Sequence, residues 1–233
     1  MSEPLFRDDP YLKSAEATVT EVGEGFLVLD RSLFYAAGGG QPGDTGRIDL
    51  GDGTSLAVTD ARYGEDRTAI RLAVATPPPV GTAVTQHLDW ARRHRLMRMH
   101  TALHLLSVAL PFPVTGGQIG ESESRLDFDL PDSPDKDTVT AEVMALIEAD
   151  HPVTTEWITD AELDANPELV KTMAVQPPRG SGRVRLVRIG TVDLQPCGGT
   201  HVASTAEIGR VAVAKIEKKG RQNRRVRLTL LED

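Results

Sequence analysis

Residues 89–110 read DWARRHRLMRMHTALHLLSVAL, and the character of the chain changes within this stretch. Its apolar residues recur at intervals of three and four, which predicts a helix with one apolar stripe. Asp89 is placed to cap the first turn of this helix, and Pro111 ends it. We therefore expect a domain boundary near residue 90, with the helix opening the second domain.

The chain before this helix has the pattern of β-structure. Segments rich in Val, Ile, Leu and Thr alternate with Gly, Pro and Asp turns between residues 16 and 88, at spacings typical of a small barrel or sandwich. Asp52-Gly53 is a hairpin signal. The predicted strands are Ala17–Thr20, Gly25–Leu29, Gly46–Leu50, Ser55–Asp60, Thr68–Val74 and Ala83–Leu88.

The chain after this helix alternates helices with strands, which predicts an α+β domain. Further helices are expected at about Thr138–Ala149 and at Asp160–Met173, the second interrupted or started afresh near Pro167. The last two strands are expected to form a hairpin through Gly220. The predicted strands are Arg125–Leu130, Val153–Ile158, Arg183–Ile189, Gly209–Glu217 and Arg224–Leu230.

Composition indicates an ordinary globular protein, since 39% of the 233 residues are hydrophobic and 26% are charged. No apolar run is long enough to span a bilayer, and Met1–Pro10 has no stretch of signal-peptide type. The single cysteine, Cys197, is unable to form an internal disulfide and suits a reducing compartment. We therefore expect a cytoplasmic protein with no membrane partner.

The charge of the chain is unevenly distributed. A net charge of −8 argues against positive potential over the whole surface, but local patches are enough to bind phosphates. Near the C-terminus a dense basic group is opposed in sequence only by Glu217, which indicates either a phosphate-binding patch or a solvated hairpin. The group consists of Lys215, Lys218, Lys219, Arg221, Arg224, Arg225 and Arg227.

Two pairs of metal-ligating residues stand out, His100 with His104 and Cys197 with His201. Residues four apart on a helix project from one face, so the histidine pair is able to bind one ion. Taken alone, the histidine pair has an alternative interpretation, in which the two residues are polar side chains at the border of the core and bind no metal. A thiolate with three imidazoles prefers zinc to hard cations. We predict one Zn²⁺ per chain, held by these four residues.

The role of such a zinc ion stays open at this level. Four protein ligands usually close a structural site, whereas catalytic sites keep a position open for water or substrate. In the helical metalloprotease motif a glutamate general base follows the first histidine. Thr101 stands at that position here, which argues against a peptidase.

The two ligand motifs, His100-Thr101-Ala102-Leu103-His104 and Pro196-Cys197-Gly198-Gly199-Thr200-His201, resemble those of the editing domain of alanyl-tRNA synthetases and of its free-standing relatives, the AlaX proteins. The resemblance extends from about residue 30 to residue 230, and the joint match of both motifs is highly specific. Further matching segments are Phe34-Tyr35, Gly38-Gly39-Gly40-Gln41, Asp44-Thr45-Gly46, Gly117-Gln118-Ile119-Gly120, Arg125-Leu126-Asp127-Phe128, Lys215-Ile216-Glu217, Lys219-Gly220 and Asn223-Arg224-Arg225.

The resemblance implies a small N-terminal β-barrel domain at residues 1–89, followed at residues 90–233 by an α+β editing domain with an antiparallel sheet and packed helices. The chain has no room for an adenylation domain, which implies a stand-alone editor acting in trans. Such proteins hydrolyse the ester that joins serine, and sometimes glycine, to alanine tRNA, and no DNA partner is implied. The synthetase pocket that binds a small apolar side chain rejects serine and glycine only weakly. A second site that hydrolyses the wrong ester corrects these errors.

The resemblance also implies roles for individual residues. Gln118 is carried over as an active-site amide that orients substrate or water, with a turn residue between glycines as the alternative. Thr101 and Thr200 are hydroxyls expected near the substrate. Glu121 departs from many synthetase editing domains, which have serine there, and a carboxylate at this position would favour an ammonium group.

Contacts with tRNA are implied at two further places. The glycine run at residues 38–40, with Gln41, is expected to let the N-terminal domain approach the editing cleft, or else to be a tight turn only. Arg224 and Arg225 are expected to bind tRNA phosphates. Two other functions also fit the residues: an RNA-binding module stabilised by zinc without turnover, and a metallohydrolase acting on a small ester or amide. The basic hairpin favours an RNA substrate over a small one.

Overall fold

The computed structural model describes residues 1–171 and 182–231. The chain divides into two compact units, Met1–His94 and Arg95–Asp233. The division falls inside a long helix that begins at Trp90, so the boundary expected near residue 90 lies in the first turn of the same helix. Among the described residues, no helix is both long and apolar enough to cross a membrane.

The first unit consists mainly of short strands. They are β1 (Glu3–Pro4), β2 (Ser14–Gly23), β3 (Phe26–Leu29), β4 (Arg31–Ser32), β5 (Gly46–Leu50), β6 (Ser55–Val58), β7 (Asp60–Tyr63), β8 (Ile70–Ala73) and β9 (Ala83–Leu88). β1 and β4 form a small parallel pair. The others form one antiparallel sheet in the order β6-β5-β9-β2-β3-β8-β7, whose buried apolar side chains make the core of the unit.

The edges of this sheet are β6 and β7, although only Thr59 separates them in the chain. The sheet must therefore curl, so that its two edges come together at Thr59. The strand pairing nevertheless stays open among the described residues, and the N-terminal barrel is not confirmed. The hairpin expected at Asp52-Gly53 is confirmed, because it joins β5 to β6.

A buried ion pair fixes the start of the long helix within the first unit. Arg93 and Asp44 are each 1% exposed at their side chains, and Arg93 Nε lies 3.0 Å from Asp44 Oδ2. The same guanidinium donates to the Leu33 carbonyl at 2.9 Å. Removing one partner of such a pair strands a buried charge, so this contact ties the helix start firmly to the strand layer.

The second unit combines helices with antiparallel sheets, as the α+β prediction expected. One sheet has the order β10-β11-β16-β15 and another the order β12-β13-β14, and β15 and β16 form the expected terminal hairpin. The elements are α1 (Trp90–Ala109, begun in the first unit), β10 (Val114–Gln118), β11 (Glu123–Asp129), α2 (Lys136–Glu148), β12 (Val153–Thr159), α3 (Asp160–Ala165), β13 (Arg183–Ile189), β14 (Asp193–Pro196), β15 (Val211–Lys218) and β16 (Asn223–Leu230).

The long helix agrees with its prediction, and the third helix is shorter than expected. Asp89 caps α1 through its carboxylate, which accepts from the Arg92 amide at 3.2 Å. α3 stops at Ala165 because Asn166 precedes Pro167, and a residue before proline disfavours the helical conformation. A single 3₁₀ turn follows, and the last two residues of the predicted helix, 172 and 173, lie outside the described residues.

In the second unit, two of the described strands were not predicted because their residues are poor strand formers. β10 contains Gly116 and Gly117, and β14 ends at Pro196. Glycine and proline are depleted in strands for entropic and hydrogen-bonding reasons. Both strands are stabilised by antiparallel partners that are distant in sequence, β11 and β13.

Candidate metal centre

Four side chains converge in the second unit, His100 and His104 from α1 and Cys197 and His201 from the turn after β14. Their ligand atoms all lie within 4.8 Å of one another. Cys197 Sγ is 3.5 Å from His100 Nε2 and 3.3 Å from His201 Nε2. The three imidazoles are buried and the thiol is partly buried.

The spacing and the chemistry of this group fit a tetrahedral ion. Zinc bonds of about 2.0–2.1 Å to nitrogen and about 2.3 Å to sulfur place the ligand atoms about 3.3–3.6 Å apart. The two sulfur–nitrogen distances, 3.5 and 3.3 Å, fall in or close to that range. One thiolate and three imidazoles also form a donor set for borderline ions. The group is therefore able to hold a metal ion.

The helix that carries the first pair is buried around most of its circumference. Leu103 is 3% exposed, and Met97 and Leu105, which project from other sides of the helix, are both 0% exposed. His100 and His104 thus lie inside the protein rather than at the margin of an amphipathic helix. Buried polar groups require partners, and the structure provides them.

His104 is oriented by a carboxylate. Its Nδ1 lies 2.9 Å from Asp193 Oδ2, and the Asp193 side chain is 0% exposed. An ionised carboxylate only accepts hydrogen bonds, so Nδ1 carries the proton and Nε2 remains for the cluster. Gln195 donates to the same carboxylate oxygen at 2.8 Å and limits its freedom to turn away.

His201 is oriented by a hydroxyl. Thr101 Oγ1 donates to the Met97 carbonyl at 2.9 Å, which leaves its lone pairs for incoming donors. His201 Nδ1 lies 3.1 Å away and the Val202 amide donates at 3.3 Å. These contacts place the proton of His201 on Nδ1 and leave Nε2 as the ligand atom. Thr101 is 0% exposed, and its expected contact with substrate stays a prediction.

The turn that carries Cys197 and His201 is held by Arg185 of β13. The guanidinium donates to the Cys197 carbonyl at 2.8 Å and to the Gly199 carbonyl at 3.0 Å. Arg185 is only 8% exposed. The Cys197 amide in turn donates to the Arg185 carbonyl at 3.1 Å, so one residue fixes the turn through both its main chain and its side chain.

The pKa values of the cluster match a thiolate among imidazoles. Burial opposes ionisation of Cys197, but the charges of His100 and His201 outweigh it and hold the pKa of this thiol well below its usual value. Burial also opposes the charged form of His104, yet hydrogen bonds to Asp193 and Cys197 raise its pKa to about 9. Burial, reinforced by the charge of His100, lowers the pKa of His201 to about 3. A metal ion would compete with a proton on His104.

The other residues predicted to contact the substrate lie in different surroundings. Gln118 is at the exposed C-terminal end of β10, opposite Arg125 of β11. Glu121 follows in the exposed turn between these strands. Thr200 is 0% exposed within the turn that carries the ligands. The expected roles of these residues toward the substrate stay predictions.

The glycine-rich segment in the first unit is a tight turn. The main chains of Gly38 and Gln41 exchange two hydrogen bonds, each 3.0 Å long. Between them, Gly39 and Gly40 have φ of 58° and 84°, the signs required of both central residues in a type I′ turn. The Tyr35 hydroxyl donates to the Gly38 carbonyl at 2.8 Å. The local structure is therefore the tight turn that the sequence pattern indicated as an alternative for this segment.

The basic hairpin is more fully neutralised than its sequence indicates. Arg225 forms two hydrogen bonds with Asp127 of β11, at 2.8 and 2.9 Å. Arg227 contacts Glu217 at 2.7 Å and Glu123 at 2.6 Å. Glu217 is the acidic residue within this stretch of sequence, and the pairing of β11 with β16 brings two further carboxylates, those of Asp127 and Glu123, beside the basic group.

Arg224 occupies the inner face of the same strand. It is 4% exposed, and its guanidinium donates to the carbonyls of Pro131 and Gly220. Its neighbour Arg225 is only partly buried. The alternation of a strand thus gives two adjacent arginines different surroundings. Phosphate binding by either residue stays a prediction.

Sequence reasoning missed the residues that support the ligands. Asp193 and Gln195 alternate in β14 just before Cys197, and this period of two was a usable signal that both share a face. Arg185 lies in β13, and the sequence predicted only that this segment forms a strand, with no role for the arginine. Lys171, whose ammonium group contacts Asp193 Oδ1, had no local signal, since it lies 22 residues away in the chain.

Two family models match the chain. The model described as the threonyl and alanyl tRNA synthetase second additional domain matches residues 184–227, a range that includes Cys197 and His201. The model described as tRNA synthetases class II (A) matches residues 10–92. The two matches together define a protein related to class II tRNA synthetases, and its residues 184–227 resemble an additional domain of the threonyl and alanyl enzymes.

Full-length relatives narrow this class. The chain is 35% identical to the alanyl-tRNA editing protein AlaX-M of Methanosarcina mazei, over 100% of this chain and 98% of the relative. It is 34% identical to the alanyl-tRNA editing protein AlaX-L of Pyrococcus horikoshii, covering 58% of that protein. It is also 34% identical to the alanine–tRNA ligase of Pyrobaculum arsenaticum, of which it covers 25%. The chain belongs to the alanyl-tRNA editing protein family.

Proposed function

We propose that this protein is an aminoacyl-tRNA deacylase that acts in trans on alanine tRNA mischarged with serine, and also with glycine. The observation that carries the proposal is the convergence of four ligand atoms within 4.8 Å in a chain similar over its whole length to alanyl-tRNA editing proteins. Because an ester between an amino acid and a tRNA is already activated, modest polarisation suffices for its hydrolysis. The cytoplasm is the proposed site of action.

The proposed cofactor is one zinc ion held by His100, His104, Cys197 and His201. Such an ion, when bound, supplies positive charge that polarises an ester carbonyl or water, or binds the amino group of the substrate. The chain itself contributes a fixed set of ligands. Their orientation by the Asp193 carboxylate and the Thr101 hydroxyl, at 2.9 and 3.1 Å, supports a site that is organised before substrate binds.

The residues around the ligands are proposed to select and place the substrate. Gln118, at an exposed strand end, is proposed to donate an amide hydrogen bond to substrate or water. Thr200 lies between two ligands in sequence and is proposed to narrow the space for the amino acid side chain. Thr101 is proposed to orient His201 through its buried hydroxyl, which has three partners, and to lie beside the bound amino acid.

Deacylation is tested by incubating the zinc-loaded protein with serine-charged, glycine-charged and alanine-charged alanine tRNA. We expect rapid release of serine and slow release of alanine, because the protein must spare correctly charged tRNA. Cys197→Ala is expected to abolish the release of serine. His87→Ala is the matched control, since His87 of β9 pairs with Asp49 of β5 at 3.0 Å and is not one of the four proposed ligands. An intact serine ester after incubation with wild-type protein would refute the proposal.

Zinc binding is tested separately by metal analysis. Wild-type protein is expected to retain one zinc per chain after dialysis, and His104→Ala is expected to lose most of it, because three remaining ligands hold the ion less tightly. The same His87→Ala control should retain the metal. An unchanged zinc content in His104→Ala would contradict the ligand set.

Binding of tRNA is proposed to involve the basic hairpin. Lys218 and Arg221 are exposed near its turn, and Arg225 and Arg227 lie beside them on β16. Carboxylates partly compensate the charges of Arg225 and Arg227, so the support for local phosphate contacts in this acidic protein comes mainly from the exposed charges of Lys218 and Arg221. The N-terminal glycine turn at residues 38–41 is a second proposed tRNA contact, and the first unit is proposed to curl into the barrel of the longer AlaX proteins.

The hairpin is tested by charge reversal. Arg225→Glu and Arg221→Glu are expected to weaken tRNA binding and to flatten its salt dependence, because fewer counterions are then released. Arg62→Glu, at an arginine that is 77% exposed in the first unit, is the control for net charge. Arg224 is unsuitable for this test, because its burial predicts misfolding on reversal. Unchanged affinity and salt slope in both hairpin variants would remove the assignment.

A zinc-stabilised RNA-binding module without turnover is a second candidate. One observation favours it: all four ligands come from the protein, and a saturated site is typical of structural zinc. The two functions differ in the deacylation assay. Tight tRNA binding together with an intact ester would support the binding module.

A further inference from the structure

The carboxylate that orients His104 has partners on both of its oxygens. Asp193 Oδ2 accepts from His104 Nδ1 at 2.9 Å and from Gln195 Nε2 at 2.8 Å. Asp193 Oδ1 accepts from Lys171 Nζ at 2.5 Å. Because the Asp193 side chain is 0% exposed, its charge depends on these neighbours for stabilisation.

Lys171 reaches this carboxylate from outside the cluster. Its side chain is 30% exposed, so the ammonium group lies between solvent and the buried carboxylate. Its main-chain carbonyl accepts from the amide of Val114, the first residue of β10, at 3.1 Å. This bond fixes the backbone of Lys171 beside the start of that strand. The lysine therefore extends from a held backbone position, and the entropy cost of placing its ammonium group is correspondingly lower.

The consequence for His104 is geometric. A carboxylate bonded on one oxygen alone is able to rotate and to release the imidazole. With Lys171 on Oδ1 and Gln195 on Oδ2, the plane of the Asp193 carboxylate is fixed, and so is the ring of His104. Partners of this kind typically change metal affinity 10- to 100-fold when they are removed.

We propose that Lys171 is a positioning residue for the metal centre, acting through Asp193 to hold His104 with Nε2 directed at the ion. The inference rests on the proposed zinc site and deepens it. Lys171 is assigned no contact with metal or with substrate. Its effect is expected on metal affinity and on the geometry of the ion, and on the rate of deacylation only as a consequence.

The first test compares Lys171→Met with Lys171→Arg in the full-length chain. Methionine keeps the length of the side chain and removes the cation, and we expect zinc affinity, measured by competition with a chelator, to fall about 10-fold. Arginine keeps a cation and is expected to restore affinity to within about threefold of wild type. Lys136→Met, at the exposed start of α2, is the control and is expected to leave zinc affinity unchanged.

The second test asks whether Lys171 acts through Asp193. Asp193→Asn alone is expected to weaken zinc binding about 10- to 100-fold. If the lysine acts through the carboxylate, Lys171→Met should add less than about twofold in the Asp193→Asn background, which is the non-additivity expected of a linked pair. Fully additive losses would overturn the proposed route. The visible absorption of the Co²⁺-loaded protein gives a further readout, and we expect Lys171→Met to shift its ligand-field bands.

The outcomes separate this inference from the proposed function. If wild-type protein releases serine from its tRNA while Lys171→Met binds zinc and Co²⁺ as wild type does, the positioning role is wrong and the function stands. If Lys171→Met weakens zinc binding but wild-type protein leaves the ester intact, the positioning role stands and the function is wrong. Should Lys171→Met fold poorly, Lys171→Gln provides a second neutral variant for the same comparison.

Discussion

Two glycine-rich turns, residues 38–41 in the first unit and residues 197–201 in the second, keep their shapes by different means. In the first turn, Gly39 and Gly40 have φ of 58° and 84°, so the conformation itself demands glycine. In the second turn, Gly198 lies outside the left-handed region, and a Cβ placed on it meets nothing within 4 Å. That turn is held instead by the Arg185 guanidinium.

The difference shows that similar sequence patterns reflect separate physical needs. The first turn is specified locally, by residues that tolerate positive φ. The second depends on a partner from another strand and, as proposed, on a metal ion. We therefore expect the first turn to be sensitive to substitution of its glycines, and the second to be sensitive to loss of its support.

Removal of the metal is expected to produce the largest difference in stability between the two turns. A chelator should lower the free energy of unfolding of the second unit by about 4 kcal/mol, if free zinc was present at about 1,000 times its dissociation constant. Hydrogen exchange of the amides at residues 197–202 should accelerate, while exchange at residues 38–44 should not. Equal acceleration in both turns would contradict a metal site confined to the second.

The next largest effect is expected from Arg185→Met. Two carbonyls, the partly buried one of Cys197 and the buried one of Gly199, lose their donor, which should cost about 2–4 kcal/mol in urea unfolding and weaken zinc binding at least 10-fold. Arg188→Met, on the same strand, is the matched control. Its ion pair with Glu156 is 42% exposed on both sides, so a loss below about 1 kcal/mol is expected. Similar losses in both variants would argue against a special role for Arg185.

A smaller effect is expected from Gly39→Ala. A Cβ at this position has nothing within 4 Å, so the cost is conformational and should be about 1–2 kcal/mol in the free energy of unfolding. Gly39→Asn is the control, because asparagine tolerates positive φ and should lose less. A neutral Gly39→Ala would show that the turn adapts its backbone.

The smallest effect is expected from Gly198→Ala. The position has room for a methyl group and no positive φ, so stability should change by less than about 0.5 kcal/mol and zinc affinity by less than about twofold. A variant that binds zinc normally but loses deacylation would indicate that Gly198 is needed for approach of the substrate rather than for the turn.

Much of the second unit was predictable because its signals are local. The helix of residues 90–109 follows from apolar spacing and from a capping aspartate, and the terminal hairpin follows from two strands around Gly220. The four ligand residues were selected from two short motifs, and the structure brings their ligand atoms together. The weak strands β10 and β14 were missed, since glycine and proline hide them until their partners are present.

The sequence by itself determined the residue types at the candidate centre and the helical spacing of His100 and His104, because both are properties of a few adjacent residues. Only the tertiary structure decided what supports them. Thr101, Asp193 and Lys171 act on ligands, or on each other, across 22 to 100 residues of chain. Buried polar groups must find partners wherever the fold provides them, and no local pattern records which distant residue will do so.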